Sequence, residues 1–342
     1  MSELLLDSLE IKGYRCFEHL TIEKLGRVNL IVGKNNVGKT ALLEALWIYA
    51  QRNQGVLFDI LISRNECPEI SLDQFGRKAP TLVHLWAGRN IFFGRPSLQT
   101  QSSPVIATIK PHDSNRITTV VDIHGVPSSG EIHSNFPSVS VSFHSQDNQI
   151  SPMPLISHYI KPNGLSGETL AGLWDEIALT SKEGNVNEAL RLIDEKVRNV
   201  NFIGYPKGEN NRVAVVRIEG LNEPVPLRSR GEGMNRLLGI ALALVNCKDG
   251  MLLIDEVESG LHYTVLPDVW RLIFKTAREL NVQVFATTHS SDCIYAFQKA
   301  ADEDKESDGM LIRLVRKNDK IKAVLFDEEE METVVEQNIE VR

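Results

Sequence analysis

The 342 residues exceed what one small core needs and suit a single large α/β domain carrying an insertion. With 42% hydrophobic and 24% charged residues the composition excludes a disordered or fibrous chain, and a formal charge of -8 excludes global basicity as the means of holding nucleic acid. No apolar run approaches the ~18 residues that cross a bilayer, MSELLLDSLE carries acids where a secretory signal carries bases, and Cys16, Cys67, Cys247 and Cys293 lack zinc or disulfide spacing. A cytoplasmic chain without membrane attachment is expected, and any DNA contact needs a local basic face or a partner chain.

Residues 4–12 and 28–32 read as strands, separated by a turn over 13–17 and the segment HLTIEKL. Helical periodicity then runs from Lys39 to about Ala50 (KTALLEALWIYA), with a breaker at Asn53-Gln54-Gly55. Between 56 and 160 the runs TLVHLWAG, PVIATIK, ITTVVDIHG and VSVSFH alternate with Ser, Asn, Pro and Gly clusters, which predicts an inserted antiparallel β lobe. Amphipathic helices follow over 168–181 and 184–199, then a hairpin turning at Asn210-Asn211 between NFIGYP and RVAVVRIEG. The remainder alternates: helix 232–246, strand 251–254, helix 263–280, strand 282–287, helix 291–301, and a strand pair within 310–326. An acidic helix is expected after Asp327, since Glu328-Glu329-Glu330 suits a helix N-terminus. Apolar strands alternating with helices predict a parallel-rich central sheet covered on both faces. The expected organisation is 1–55 and 201–342 as two parts of one core, 56–165 as the β-rich insertion and 166–200 as a helical segment.

Gly33-Lys34-Asn35-Asn36-Val37-Gly38-Lys39-Thr40 fits G-x-x-x-x-G-K-[ST] between an apolar strand and a helix, the context a phosphate loop requires. Its glycines let backbone N–H groups curl round phosphates, Lys39 supplies a cation, and Thr40 is a Mg²⁺ ligand. Met251-Leu252-Leu253-Ile254 ends in Asp255 and Glu256: Asp255 is placed to hold Mg²⁺ and Glu256 to orient or deprotonate the attacking water. VQVFATTHSS ends in His289, assigned as a γ-phosphate sensor because ligand residues gather at the carboxyl ends of parallel strands, with Ser290 as a helix cap. Ser229, Gly231 and Gly233 precede an apolar helix and form a further anion-binding helix start, a pattern shared with ordinary caps.

The order of these elements resembles the ABC-type ATPases of the RecF, OLD and SMC-related branch. IKGYRCF, VNLIVGKNNVGKTALLEAL, LLIDEVESGLH and VFATTHSSD are similar to members of that branch often labelled AAA. The resemblance implies a P-loop NTPase fold in which Gly33, Asn36, Gly38, Lys39 and Thr40 are the Walker A residues, Asp255 and Glu256 the Walker B pair, and His289 the switch histidine. It also implies that Ser229, Gly231 and Gly233, which depart from the usual LSGGQ form, are the signature that closes over ATP held by another subunit. Ser259, Gly260, Leu261 and His262 would be the D-loop at that interface, and Gln146 is the candidate Q-loop glutamine. ATP and Mg²⁺ are thus the implied ligands, and a homodimer, or an oligomer of such dimers, the implied assembly.

The implied activity is ATP hydrolysis that gates DNA or a separately encoded nuclease or other effector, in phage defence or, alternatively, in RecF-like DNA repair. Arg15 either neighbours the nucleotide, as in that branch, or is a solvated turn residue. A GTPase is disfavoured because Asn246-Cys247-Lys248-Asp249 has the wrong order for N-K-x-D, and a small-molecule kinase leaves Ser229 and His289 unexplained. SMC arms would need heptads between Thr40 and Ser229, and an OLD nuclease a TOPRIM domain where a short tail follows His289. Asp302-Glu303-Asp304 is read as a polar loop and not as a metal site.

Overall fold

The computed structural model describes residues 4–53, 55–64, 154–204, 212–304, 306–327 and 330, together with the backbone of strands at 106–110, 118–124 and 138–144. The chain opens with β1 (Leu9–Tyr14) and β2 (Phe17–Ile22), an antiparallel hairpin in which Tyr14 pairs with Phe17 across the Arg15-Cys16 turn. HLTIEKL is therefore largely strand, and the first strand begins at Leu9 and not at residue 4. Next come β3 (Val28–Val32), α1 (Lys39–Gln51) and α2 (Gly55–Ser63). The last of these is a helix inside the segment 56–165 that the sequence assigns to the β-rich insertion.

The runs PVIATIK, ITTVVDIHG and VSVSFH contain β4 (Ile106–Lys110), β5 (Thr118–His124) and β6 (Ser138–His144). β4 pairs with β1, giving among the described residues a five-stranded antiparallel sheet of order β2-β1-β4-β5-β6. TLVHLWAG, Gln146, Cys67, the Asn210-Asn211 turn and all but Glu330 of the acidic tail lie outside the described residues.

β7 (Ser157–Ile160) falls within the 56–165 segment yet joins the central sheet. α3 (Gly167–Asp175) starts at a Ser166 cap whose side chain accepts from the Thr169 amide, and α4 (Lys182–Arg191) follows. Helical periodicity was read through 199, but the chain leaves the helix early and enters β8 (Val197–Gly204), which pairs with β9 (Arg212–Ile218) and the short β10 (Val225–Pro226). Cross-strand partners at Val197↔Ile218 and Asn199↔Arg217 override the helical periodicity over 197–199.

The C-terminal half holds α5 (Glu232–Asn246), β11 (Met251–Ile254), α6 (Leu266–Glu279), β12 (Gln283–Thr287), α7 (Ser291–Glu303), β13 (Gly309–Lys317) and β14 (Lys320–Phe326). Asp302 and Glu303 thus close α7 instead of forming a loop, and Glu303 pairs with Arg271 at 2.6 Å. The central sheet runs β14-β13-β3-β12-β11-β7, parallel except for the antiparallel β13–β14 edge. Because strand side chains alternate, Leu30, Leu252, Ile254, Val284 and Ala286 enter one core with α5, α6 and α7. Ile31, Met251, Leu253 and Phe285 enter the other, with α1 and the hairpin. Each fully buried Leu of α1, such as Leu42, Leu43 or Leu46, contributes about 1.5–3 kcal/mol by leaving water.

Candidate active site

The parallel strands β3, β11 and β12 end on the same side, so their carboxyl termini deliver Gly33, Asp255 and Thr287 to one locus. After β3 the chain turns at Gly33 (φ 143), Asn36 (φ 62) and Gly38 (φ 105), conformations that favour glycine or asparagine. A Cβ at Gly33 would lie 2.6 Å from the Leu314 carbonyl, and one at Gly38 would lie 2.6 Å from Cys16 Sγ. The loop is therefore clamped between β13 and the hairpin turn. Gly38 caps α1, whose first turn presents Lys39 and Thr40. Lys39 Nζ donates to the carbonyls of Gly33 (2.7 Å) and Lys34 (3.3 Å). Burial draws this ammonium below its usual range, while the carboxylates of Asp255, Glu256 and Glu258 pull it upward.

Asp255 is 4% exposed and receives three hydroxyls: Thr40 Oγ1 at 2.9 Å and Tyr159 OH at 3.4 Å on Oδ2, and Thr287 Oγ1 at 2.5 Å on Oδ1. The same Thr287 oxygen accepts from the Glu256 amide at 2.9 Å. Glu256 itself is left-handed, φ 49. His289 follows β12, its Nδ1 3.3 Å from Glu258 and 3.7 Å from Glu256, and its amide donates to Glu258 Oε1 at 3.1 Å. Ser290 caps α7 by accepting from the Cys293 amide.

The structure thus brings Gly33, Asn36, Gly38, Lys39, Thr40, Asp255, Glu256 and His289 to one end of the sheet. Ser229, Gly231 and Gly233 make their contacts elsewhere. Ser229 Oγ donates to the Pro226 carbonyl at 2.6 Å, Gly231 (φ 99) has open space around it, and a Cβ on Gly233 would lie 2.8 Å from the Gly260 carbonyl. The head of α5 therefore rests on the turn formed by Ser259, Gly260, Leu261 and His262.

Two sets of residues take partners that the sequence does not announce. Arg15 is not a solvated turn residue: its side chain is 7% exposed and its Nε pairs with Glu44 of α1 at 2.6 Å. Glu44 also binds Arg64 at 2.5 Å and accepts from Tyr14 OH at 3.3 Å. Its carboxyl is raised by burial, against the opposing pull of Arg15 and Arg64. The other set is Thr287, Glu258 and Arg236. An arginine at the head of an otherwise apolar helix, and an acid two residues beyond the Asp-Glu pair, were the available signals.

The model of the AAA ATPase domain matches residues 5–79 and 168–294, more than half of the chain. The chain belongs to the AAA ATPase domain family. This family member is 24% identical over 337 residues to the ATP/GTP phosphatase of Helicobacter pylori, across 85% of this chain and 86% of that one. An 81-residue segment is 35% identical to the DNA replication and repair protein RecF of Thermomicrobium roseum, covering 23% of this chain and 20% of RecF. In fold it is similar to the Smc head bound to the C-winged helix domain of ScpA, with a TM-score of 0.54 at 15% identity over 95% of this chain and 98% of that one. The Smc head with an extended coiled coil, bound to the C-terminal domain of ScpA derived from Pyrococcus furiosus, gives 0.55 at 12% identity over 97% and 99%. The family match makes the chain an ATPase-domain protein, and the likeness to the Smc heads is one of fold. Among the described residues, no helix is long and apolar enough to cross a membrane.

Proposed function

We propose that this ATPase binds ATP and Mg²⁺ on the Gly33–Thr40 loop, completes the site with a second copy of itself, and uses hydrolysis to gate a DNA-related or nuclease-partner activity. The observation that carries this reading is the 2.9 Å contact between Thr40 Oγ1 and Asp255 Oδ2, which joins residues far apart in sequence. One hydroxyl and one carboxylate are the hard oxygen donors that suit Mg²⁺, an ion that takes its remaining ligands from water and phosphate. Bound there, Mg²⁺ supplies neutralisation of charge on the transferring phosphoryl group. Lys39 binds the phosphates, Glu256 orients the attacking water, and His289 senses the γ-phosphate, held by Glu258.

The placement of the signature residues supports the second copy. Gly233 sits against the turn at Gly260, Ser229 bonds back to the Pro226 carbonyl, and a Cβ built on Gly231 would meet nothing within 4 Å. In this reading a partner chain's phosphate loop is received there, and two equivalent sites give closed two-fold symmetry. The test mixes a Lys39→Ala chain with a Ser229→Arg chain: a mixed dimer concentrates both lesions in one composite site and leaves the other whole. Partial restoration of hydrolysis, when each variant alone is inactive, supports the shared site; no rescue despite demonstrated mixed dimers overturns it.

An effector nuclease in phage defence is the setting we favour from the OLD-like segments LLIDEVESGLH and VFATTHSSD. The RecF match supports a DNA-repair setting as the second reading.

A further inference from the structure

α5 begins Glu232-Gly233-Met234-Asn235-Arg236 and then runs apolar through Val245. Arg236 is 5% exposed, between the buried Met234 and Leu237. Stripping water from a guanidinium is costly unless other hydrogen bonds replace it. Backbone carbonyls do so for the two terminal nitrogens: Nη2 donates to Asp255 O at 2.8 Å and Glu256 O at 2.9 Å, and Nη1 to Lys161 O at 2.6 Å, while Nε is buried without a partner among the described residues. Burial draws the group down to about 10, opposed by the charges of Glu258, Asp255 and Glu256, so it remains a cation at neutral pH. Both carbonyls that share Nη2 belong to the two acids of the candidate site.

Glu256 needs such a hold. A non-glycine residue in the left-handed region is strained and persists only where its surroundings over-determine it. Its amide is fixed by Thr287 Oγ1 of β12, and its carbonyl by Arg236 of α5 together with the Ser259 amide at 2.9 Å. Lysine could not reproduce the planar fork that reaches three carbonyls at once.

We infer that Arg236 is a positioning residue for hydrolysis: by gripping the Asp255 and Glu256 carbonyls it holds Glu256 in the left-handed turn that aims its carboxylate, and couples that aim to the head of α5. The inference rests on the reading that Glu256 handles the attacking water. Arg236→Lys, Arg236→Met, Glu256→Gln and the double variant Arg236→Lys/Glu256→Gln test it in single-turnover hydrolysis with enzyme in excess, alongside equilibrium binding of a fluorescent ATP analogue.

Loss of one or two charge-assisted hydrogen bonds lowers the hydrolysis rate about tenfold in Arg236→Lys and about a hundredfold in Arg236→Met. The nucleotide dissociation constant stays within about twofold, because the Lys39 loop is untouched. In the Glu256→Gln background Arg236→Lys adds less than about a twofold further loss, since a residue acting through the carboxylate has nothing left to act on. A full tenfold additional loss in that background, nucleotide affinity falling in step with rate, or Arg236→Lys turning over at the wild-type rate each overturns the inference. Wild-type turnover by Glu256→Gln instead overturns the underlying assignment of Glu256 and the inference with it. Should Arg236→Met not fold, the lysine variant carries the comparison.

Discussion

Replacing Thr287 by valine removes one oxygen and keeps the branched shape that suits β12, so its effect isolates a single hydroxyl. That hydroxyl is fully buried and works in both directions, donating to Asp255 Oδ1 and accepting from the Glu256 amide. Each buried polar group left without a partner costs about 1–3 kcal/mol. Asp255 keeps Thr40 and Tyr159 and so falls at the low end of that range, whereas the Glu256 amide loses its observed acceptor. The sum is about 2–4 kcal/mol. With a urea slope near 3 kcal/mol/M, the unfolding midpoint falls by about 1 M. Thr287→Ser keeps the oxygen and shifts the midpoint by less than half as much. ATP turnover, measured by phosphate release across a Mg²⁺ titration, falls for the valine variant and is retained by the serine variant. A Thr287→Val protein with the wild-type midpoint and wild-type turnover would refute the idea that this hydroxyl organises the acidic pair.

Two further outcomes follow from geometry and burial. Gly38→Ala places a methyl 2.6 Å from Cys16 Sγ and 2.9 Å from the Phe17 ring at φ 105. Strain of about 1–3 kcal/mol in the loop should weaken ATP-analogue binding about tenfold or more, read by fluorescence titration. His158 of β7 is held below its ordinary 6.5 by burial, so folding favours the neutral ring. Its contribution to stability is present above 6.5 and lost as pH falls through the lowered value; His158→Asn should flatten that limb of a thermal-melting series against pH.

The parts legible in the sequence are those whose cause is local. Gly33 to Thr40 declares a strand-turn-helix because its glycines must take positive φ, and MLLI declares a buried strand because every side chain is apolar. What stayed hidden depends on which elements meet. Arg15 reads as a turn residue until α1 brings Glu44 to 2.6 Å of it. SHYI reads as part of the insertion until β11 offers it a parallel partner at Met251↔Ser157. Gly55-Val56-Leu57 follows two residues that favour turns, and the buried face formed by Val56, Leu57, Ile60 and Leu61 against α1 makes the helix nonetheless. Arg236 shows the converse: its charge was visible, but its partners are three carbonyls, which no side-chain pattern encodes.

The register of the central sheet has a consequence for how the chain is made. β3 lies between β12 and β13, with Val28 opposite both Val284 and Gly309. Both neighbours emerge from the ribosome roughly 250 residues after β3, which at ~5–20 residues per second is a delay of roughly 10–50 s. Throughout that interval β3 carries two unpaired edges of Val-Asn-Leu-Ile-Val, a run inviting association with other chains. The β1–β2 hairpin and α1 can cover one of its faces during the wait, since Ile31 packs in their cluster, but neither edge can close early. Assembly of the nucleotide site is therefore a late, long-range event, and yield on expression should respond more to slow co-translational pairing and chaperone supply than to the strength of any single contact.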